Sequence, residues 1–240
     1  FYTRERQELQ TEAVMLNASN YVAQVKMDPA LVTRFYSNRL ADFRIPERVQ
    51  LRYVEFPLTN YYAAAEEELM KTNLNEVVDM NLQRLGTNYV QFGATPEDAK
   101  AKIRTEIIRN RGLNEARRRA NEFATHLLEV EPARPGNLEL VGATNGVTVK
   151  SSAPFDRKDG PKELEIGANA ASFANAAFAL SPTNDLFAGP LVGQNGAYVI
   201  GFDKRIPSEI PPYDQIQSKV EQAYKEYEAA GLRRTPGTEA

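Results

Sequence analysis

Apolar residues recur at helical spacing through about the first forty residues of the chain. Asp28 can cap a helix N-terminus, and Pro29 suits the first helical turn that would follow. The pattern therefore predicts two short helices, at about 5–26 and 29–43.

A different pattern indicates a few strands. From Val49 to Phe56 apolar and polar residues alternate, as a strand with one buried face requires. Short β and turn segments are predicted at Leu138–Val141 and Val147–Lys150. Asn195-Gly196 is a strong hairpin signal, because type I′ turns favour this pair. These strands, with one around Leu191, predict a small antiparallel sheet.

Helical periodicity fills most of the remaining chain. A long helical block follows Pro57 and continues to Gly86. Thr95 and Pro96 open another helix, which we expect to end near Asn110 because Gly112 interrupts it. Further helices are predicted at Leu113–Val130, Ser172–Leu180 and Tyr213–Ala230. Helices combined with a small antiparallel sheet predict an α+β fold.

Composition excludes several kinds of chemistry. The net charge of −3 gives no general basic field for nucleic acid, so we expect no nucleic-acid partner. The chain has no cysteine and one histidine, His126, which excludes thiolate catalysis and Cys/His zinc sites. We expect neither a metal nor a cofactor. The absence of cysteine is compatible with an oxidising compartment outside the cytoplasm.

The ends of the chain suggest a fragment. It begins at Phe1 without methionine and closes on a polar tail, so we expect a processed or excised piece of a longer protein. It has no run of about 18 apolar residues that could span a bilayer. A membrane anchor could therefore lie outside this fragment.

Three segments in the second half carry a family resemblance. Phe173 to Leu180 reads Phe-Ala-Asn-Ala-Ala-Phe-Ala-Leu, Gly189-Pro190-Leu191 follows, and Gly196 to Ile200 reads Gly-Ala-Tyr-Val-Ile. This order resembles the second half of a parvulin-type peptidyl-prolyl cis-trans isomerase domain. The family's histidine in the last motif is replaced here by Tyr198.

The resemblance implies a set of site residues. Tyr53 and Tyr198 occupy the places of the two family histidines, which are the catalytic positions. Asn169 and Phe173 occupy the positions that line the family's proline pocket, with Phe178 behind them. No residue between Gly146 and Phe155 clearly matches the Cys or Asp found beside the histidines. Phe173 and Phe178 also suit ordinary core positions on a buried helix.

A broader likeness covers most of the chain. Phe43 to Val54, which joins the first helices to the first strand, resembles the same junction in SurA- and PpiD-like folding factors of the bacterial envelope. That resemblance implies a helical chaperone-like module at 1–45, completed by a helix in 211–240. It implies a parvulin-like domain at 46–57 and 113–207, with a helical insertion at 58–112.

Three functions remain open on these residues. The first is a periplasmic or membrane-anchored chaperone, acting on unfolded or proline-containing polypeptides, whose isomerase site has degenerated. The second is an active peptidyl-prolyl isomerase, since tyrosine can keep a hydrogen-bonding role. The third is a non-catalytic scaffold or interaction domain of the envelope.

Overall fold

The computed structural model describes residues 22–23 and 25–232, so most of the helix predicted at 5–26 lies outside the described residues. The chain divides into two compact units. One contains the described residues up to Ile45 together with those from Ser208 onward, and the other is Pro46–Pro207. Within the described part, no helix has both the length and the apolar character that a membrane span requires.

The fold is α+β, as the sequence pattern predicts. Five strands form one antiparallel sheet in the order β2-β1-β5-β4, with β3 also paired to β1. The strands are β1 (Arg48–Pro57), β2 (Val149–Ser151), β3 (Phe155–Asp156), β4 (Phe187–Val192) and β5 (Gly196–Ile206). The helices are α1 (Pro29–Asn38), α2 (Thr59–Met70), α3 (Leu74–Leu85), α4 (Pro96–Glu129), α5 (Asn137–Thr144), α6 (Ala170–Ala179) and α7 (Tyr213–Leu232). Short 3₁₀ turns lie at Leu40–Phe43, Gly86–Gln91 and Gly167–Asn169.

Alternation along β1 builds a separate core on each face of the sheet. Val49, Leu51 and Tyr53 pack on one face with residues of α6. Val54 and Phe56 point to the opposite face, where they pack with residues of α4 and α5. Successive side chains of a strand point to opposite faces, so one strand contributes to both cores. The sheet is therefore covered by helices on both sides.

The break predicted at Gly112 is wrong, because α4 continues through it as one helix of 34 residues. Gly112 is where α4 meets the start of α2. A Cβ on Gly112 would come within 2.6 Å of Leu58 Cδ1 and 3.6 Å of Tyr62 Cα. The glycine therefore allows close packing and does not end the helix.

The strand predicted at Leu138–Val141 is also wrong, since this segment is part of α5. Leu138 and Val141, three positions apart, are buried, whereas Leu140 is 56% exposed. A strand would have buried Leu138 and Leu140 together. Asn137 supports the helix start by donating to the carbonyls of Val130 and Pro132 at 3.0 and 3.1 Å.

In the unit that holds both described ends of the chain, α1 packs against α7 around an aromatic cluster. Val32, Phe43, Val220 and Tyr224 are its buried members. The Tyr36 hydroxyl donates to the Pro211 carbonyl at 2.6 Å, which ties α1 to the segment just before α7. The first and last described helices therefore share one core.

Candidate functional site

Tyr53 and Tyr198 lie on neighbouring strands and on the same face of the sheet. In the β1–β5 register Tyr53 pairs with Ile200 and Glu55 pairs with Tyr198. The two tyrosine rings are therefore diagonal neighbours, with centroids 6.2 Å apart and an edge-to-face arrangement. The structure brings together the two positions that sequence resemblance singles out, and their catalytic role stays a prediction.

The tyrosine pair is closed to solvent. Tyr53 is 6% exposed and Tyr198 is 1% exposed. The ring of Phe173 meets Tyr198 edge-on at 6.0 Å, and Phe173 itself is 2% exposed. On the side of the β4–β5 turn, Gly193 approaches so closely that a Cβ there would lie 2.8 Å from Tyr198 Cε2. A substrate can therefore contact the Tyr198 ring only if Phe173 or the turn at Gly193 moves.

A carboxylate and an ammonium group accompany the pair. Glu55, directly opposite Tyr198 in the register, accepts a hydrogen bond of 2.8 Å from Lys150 Nζ. Burial, reinforced by the Glu55 charge, raises the pKa of Tyr198 to about 12. Burial also raises the pKa of Tyr53. Both phenols are therefore protonated at neutral pH, and neither is poised to act as a general base.

Sequence reasoning missed Glu55 and Lys150. Glu55 has the same parity along β1 as Tyr53, so alternation alone could have assigned it to the tyrosine face. Lys150 needed the register, since it lies opposite Tyr53 on β2. The Ser152 hydroxyl accepts a hydrogen bond of 3.0 Å from the Leu51 N–H. This bond extends the pairing between β1 and β2.

Phe178 lies at a different part of the same core. Its ring meets Phe155 at 6.3 Å, and the Arg157 guanidinium lies 4.8 Å from its centroid. It is buried, and these contacts fix the C-terminal end of α6. A substrate-binding role for Phe178, as for Phe173, stays a prediction.

Asn169 borders an open cleft. It precedes the first residue of α6 and is exposed, and its Nδ2 donates to the Val192 carbonyl at 2.8 Å. The cleft has a volume of about 560 Å³ and lies between α4, the segment that ends in the 3₁₀ turn before α6, and the β4–β5 turn. Among the described residues, no group of three or more His, Asp or Glu side chains is arranged to hold a metal ion.

Comparisons with known proteins give one weak likeness. No protein-family model matches the sequence, and no curated protein matches it. The chain is similar to a solved structure reported for the virulence factor PEB4 and the periplasmic protein Cj1289, two SurA-like chaperones of Campylobacter jejuni. The match has 17% identity and a TM-score of 0.32, and it covers 92% of this chain and 63% of the other. The function proposed below therefore rests on the sequence resemblance and on the geometry of the site.

Proposed function

We propose that this chain is part of an envelope folding factor of the parvulin, SurA- and PpiD-like type. In this proposal it binds unfolded polypeptide segments, and its isomerase site has degenerated. The helical module is 1–45 with 211–240, the parvulin-like domain is 46–57 with 113–207, and 58–112 is an insertion. The compartment that fits this role is the periplasm, in free or membrane-anchored form.

The observation that carries the proposal is a closed tyrosine pair beside an open cleft. Isomerisation of an X-Pro bond needs an apolar slot for the pyrrolidine ring and contacts that favour the twisted amide, whose barrier is about 18–20 kcal/mol. Here Phe173 is packed against Tyr198 and offers no free ring face to a ligand. At the position that the resemblance assigns to this slot, Asn169 has a polar carboxamide in place of an apolar side chain.

Binding without turnover is compatible with the cleft. It has apolar side chains from Leu113, Ala168 and Val192, together with polar groups. Extended polypeptide segments are bound by apolar contacts together with main-chain hydrogen bonds. A surface with both apolar and polar groups binds polypeptides of many different sequences, as a folding factor requires.

The test is suppression of aggregation. An unfolded outer-membrane-type protein is diluted from denaturant with and without the full chain, at low and high salt, and light scattering is followed. We expect protection at both salt concentrations, because apolar contacts are not screened by ions. Protection lost at high salt would indicate electrostatic capture. No protection at either salt would contradict the proposal and favour a scaffold role.

A further inference from the structure

The chain has two Asn-Gly pairs, and the structure places them in different surroundings. Asn145-Gly146 follows the last residue of α5, and Asn195-Gly196 joins the β4–β5 turn to β5. In an Asn-Gly pair the glycine nitrogen can attack the neighbouring side-chain amide with little obstruction, because glycine has no Cβ. The two pairs therefore share one possible reaction, and their surroundings decide which of them undergoes it.

The reaction is a ring closure followed by hydrolysis. The glycine nitrogen gives its proton to solvent base and bonds to Cγ of the asparagine. The Cγ–Nδ2 bond breaks, and Nδ2 leaves as ammonia after taking a proton from water. Water then opens the five-membered succinimide at either carbonyl, which gives aspartate or isoaspartate, and nothing is oxidised or reduced. Because the two reacting groups belong to adjacent residues, the ring closes once the main chain rotates to bring them together.

The Asn145-Gly146 pair lies at an open helix end. Both residues are exposed, and a Cβ on Gly146 would meet no atom within 4 Å. The Gly146 N–H donates to the Ala143 carbonyl at 3.3 Å, which is longer than most N–H···O bonds. Bonds in an exposed last turn of a helix open at little cost in free energy. The Asn145 main chain can therefore rotate away from its ψ of 2° and let the ring close.

The Asn195-Gly196 pair is held on both sides of its peptide bond. The Asn195 carbonyl accepts from the Leu58 N–H, and the Gly196 carbonyl accepts from the Gly193 N–H, both at 2.8 Å. Gly196 is buried, and a Cβ there would lie 2.6 Å from the Phe56 carbonyl oxygen. Rotation of this main chain requires that β1 and β5 separate, because Gly196 is already part of their pairing.

We propose that Asn145 is a site of spontaneous deamidation in the folded protein, and that the fold protects Asn195 from the same reaction. The product weakens the connection between α5 and β2. The strand β2 contains Lys150, whose Nζ donates to Glu55 beside the tyrosine pair. A modification at the surface therefore loosens a strand of the candidate functional site.

The product weakens this connection in two ways. Asn145 Nδ2 donates to the Val141 carbonyl at 2.9 Å, and a carboxylate cannot donate this bond. The carboxylate also puts negative charge at a helix C-terminus, where the helix dipole disfavours it. Isoaspartate adds a methylene to the main chain just before Val147, whose N–H donates to the Gly142 carbonyl at 2.9 Å. The longer main chain displaces this bond between α5 and the segment that leads to β2.

Mass spectrometry of proteolytic peptides tests the assignment. The full chain is incubated at physiological temperature and mildly alkaline pH, in buffer and in concentrated urea, and conversion of each asparagine is followed with time. We expect Asn145 to convert at least about tenfold faster than Asn195 in buffer. In urea the two rates should agree within about threefold, because unfolding removes the difference between their surroundings. Equal rates in buffer, faster conversion of Asn195, or conversion of Asn145 in urea alone would overturn the proposal.

Thermal unfolding of fresh and aged protein tests the consequence. Aged wild type should unfold at a lower temperature than fresh wild type, in proportion to its isoaspartate content. Asn145→Gln is the matched control, since glutamine would need a six-membered ring and the aged variant should unfold like the fresh one. Fresh Asn145→Asp has the charge without the added methylene, so it should lose less stability than the isoaspartate form. An unchanged unfolding temperature of fully converted wild type would contradict the weakened connection between α5 and β2.

Discussion

Gly193 and Tyr198 are packed in contact across the turn between β4 and β5. A Cβ on Gly193 would lie 2.8 Å from Tyr198 Cε2 and 3.3 Å from the Glu165 carbonyl oxygen. The Tyr198 ring cannot easily retreat, because Phe173 meets it from another side. Because residue 193 has no side chain, the turn packs directly against Tyr198 and helps to exclude solvent from the tyrosine pair.

Gly193→Ala should lower the free energy of unfolding. The added methyl overpacks a filled core, which typically costs about 1–3 kcal/mol. Urea unfolding followed by circular dichroism measures the effect. Gly136→Ala is the control, because its φ is −71° and a Cβ there meets no atom within 4 Å. Equal effects of the two substitutions would show that the contact with Tyr198 is unimportant for stability.

Tyr198 should make the protein sensitive to alkali. Its pKa is about 12 in the folded protein and the ordinary tyrosine value is 10.0. The unfolded chain therefore releases this proton first, so the stabilisation is complete below pH 10 and is lost as the pH rises toward 12. The slope reaches at most about 1.4 kcal/mol per pH unit. Tyr198→Phe should have a shallower fall in unfolding free energy between pH 10 and 12, and an unchanged slope would contradict the assignment.

Gly112→Ala should destabilise the protein, although alanine is normally favoured in helix interiors by about 1 kcal/mol. The added methyl would lie 2.6 Å from Leu58 Cδ1. A double-mutant cycle with Leu58→Ala tests this cause, because shortening Leu58 makes room for the methyl. We expect the double variant to lose less stability than the sum of the single losses. Additive losses, or a stabilised Gly112→Ala variant, would contradict close packing at this point.

Tyr224→Ala should strongly destabilise the unit formed by α1 and α7. Tyr224 is buried, and its ring meets Phe35 edge-to-face at 5.5 Å. Removing a large buried aromatic side chain typically costs about 3–5 kcal/mol. Tyr227→Ala on the same helix is the comparison, since Tyr227 is 50% exposed. A loss after Tyr224→Ala below about 0.5 kcal/mol, as small as at an ordinary surface site, would show that the buried cluster does not hold the two helices together.

Much of the fold could be predicted because its signals are local. Alternation predicts a strand at Val49–Phe56, and the structure has one at Arg48–Pro57. The Asn195-Gly196 signal does mark the turn that joins β4 to β5. The break predicted at Gly112 is wrong because the role of this glycine depends on Leu58, more than fifty positions earlier. The strand predicted at Leu138–Val141 is wrong because four residues are too few to distinguish a period of 2 from one of 3.6.

The site could be predicted only in part. Sequence resemblance selects Tyr53 and Tyr198, and alternation puts Glu55 on the Tyr53 face. The contact of Lys150 with Glu55 depends on how β2 pairs with β1, which the sequence does not state. The cleft could not be predicted from the sequence, because it depends on a tertiary contact. Arg109 reaches the β4–β5 turn from a helix that lies far away in the chain.

One NMR experiment tests the central claim, that this chain binds polypeptide while its tyrosine pair is closed to isomerisation. Exchange spectra of a short X-Pro peptide report binding through shifted and broadened peptide resonances, and isomerisation through cis–trans cross-peaks. The uncatalysed exchange takes tens to hundreds of seconds, so a catalysed rate is easily recognised. We predict shifted resonances with cross-peaks that build up no faster than in buffer. Cross-peaks that grow with substoichiometric protein would contradict the account.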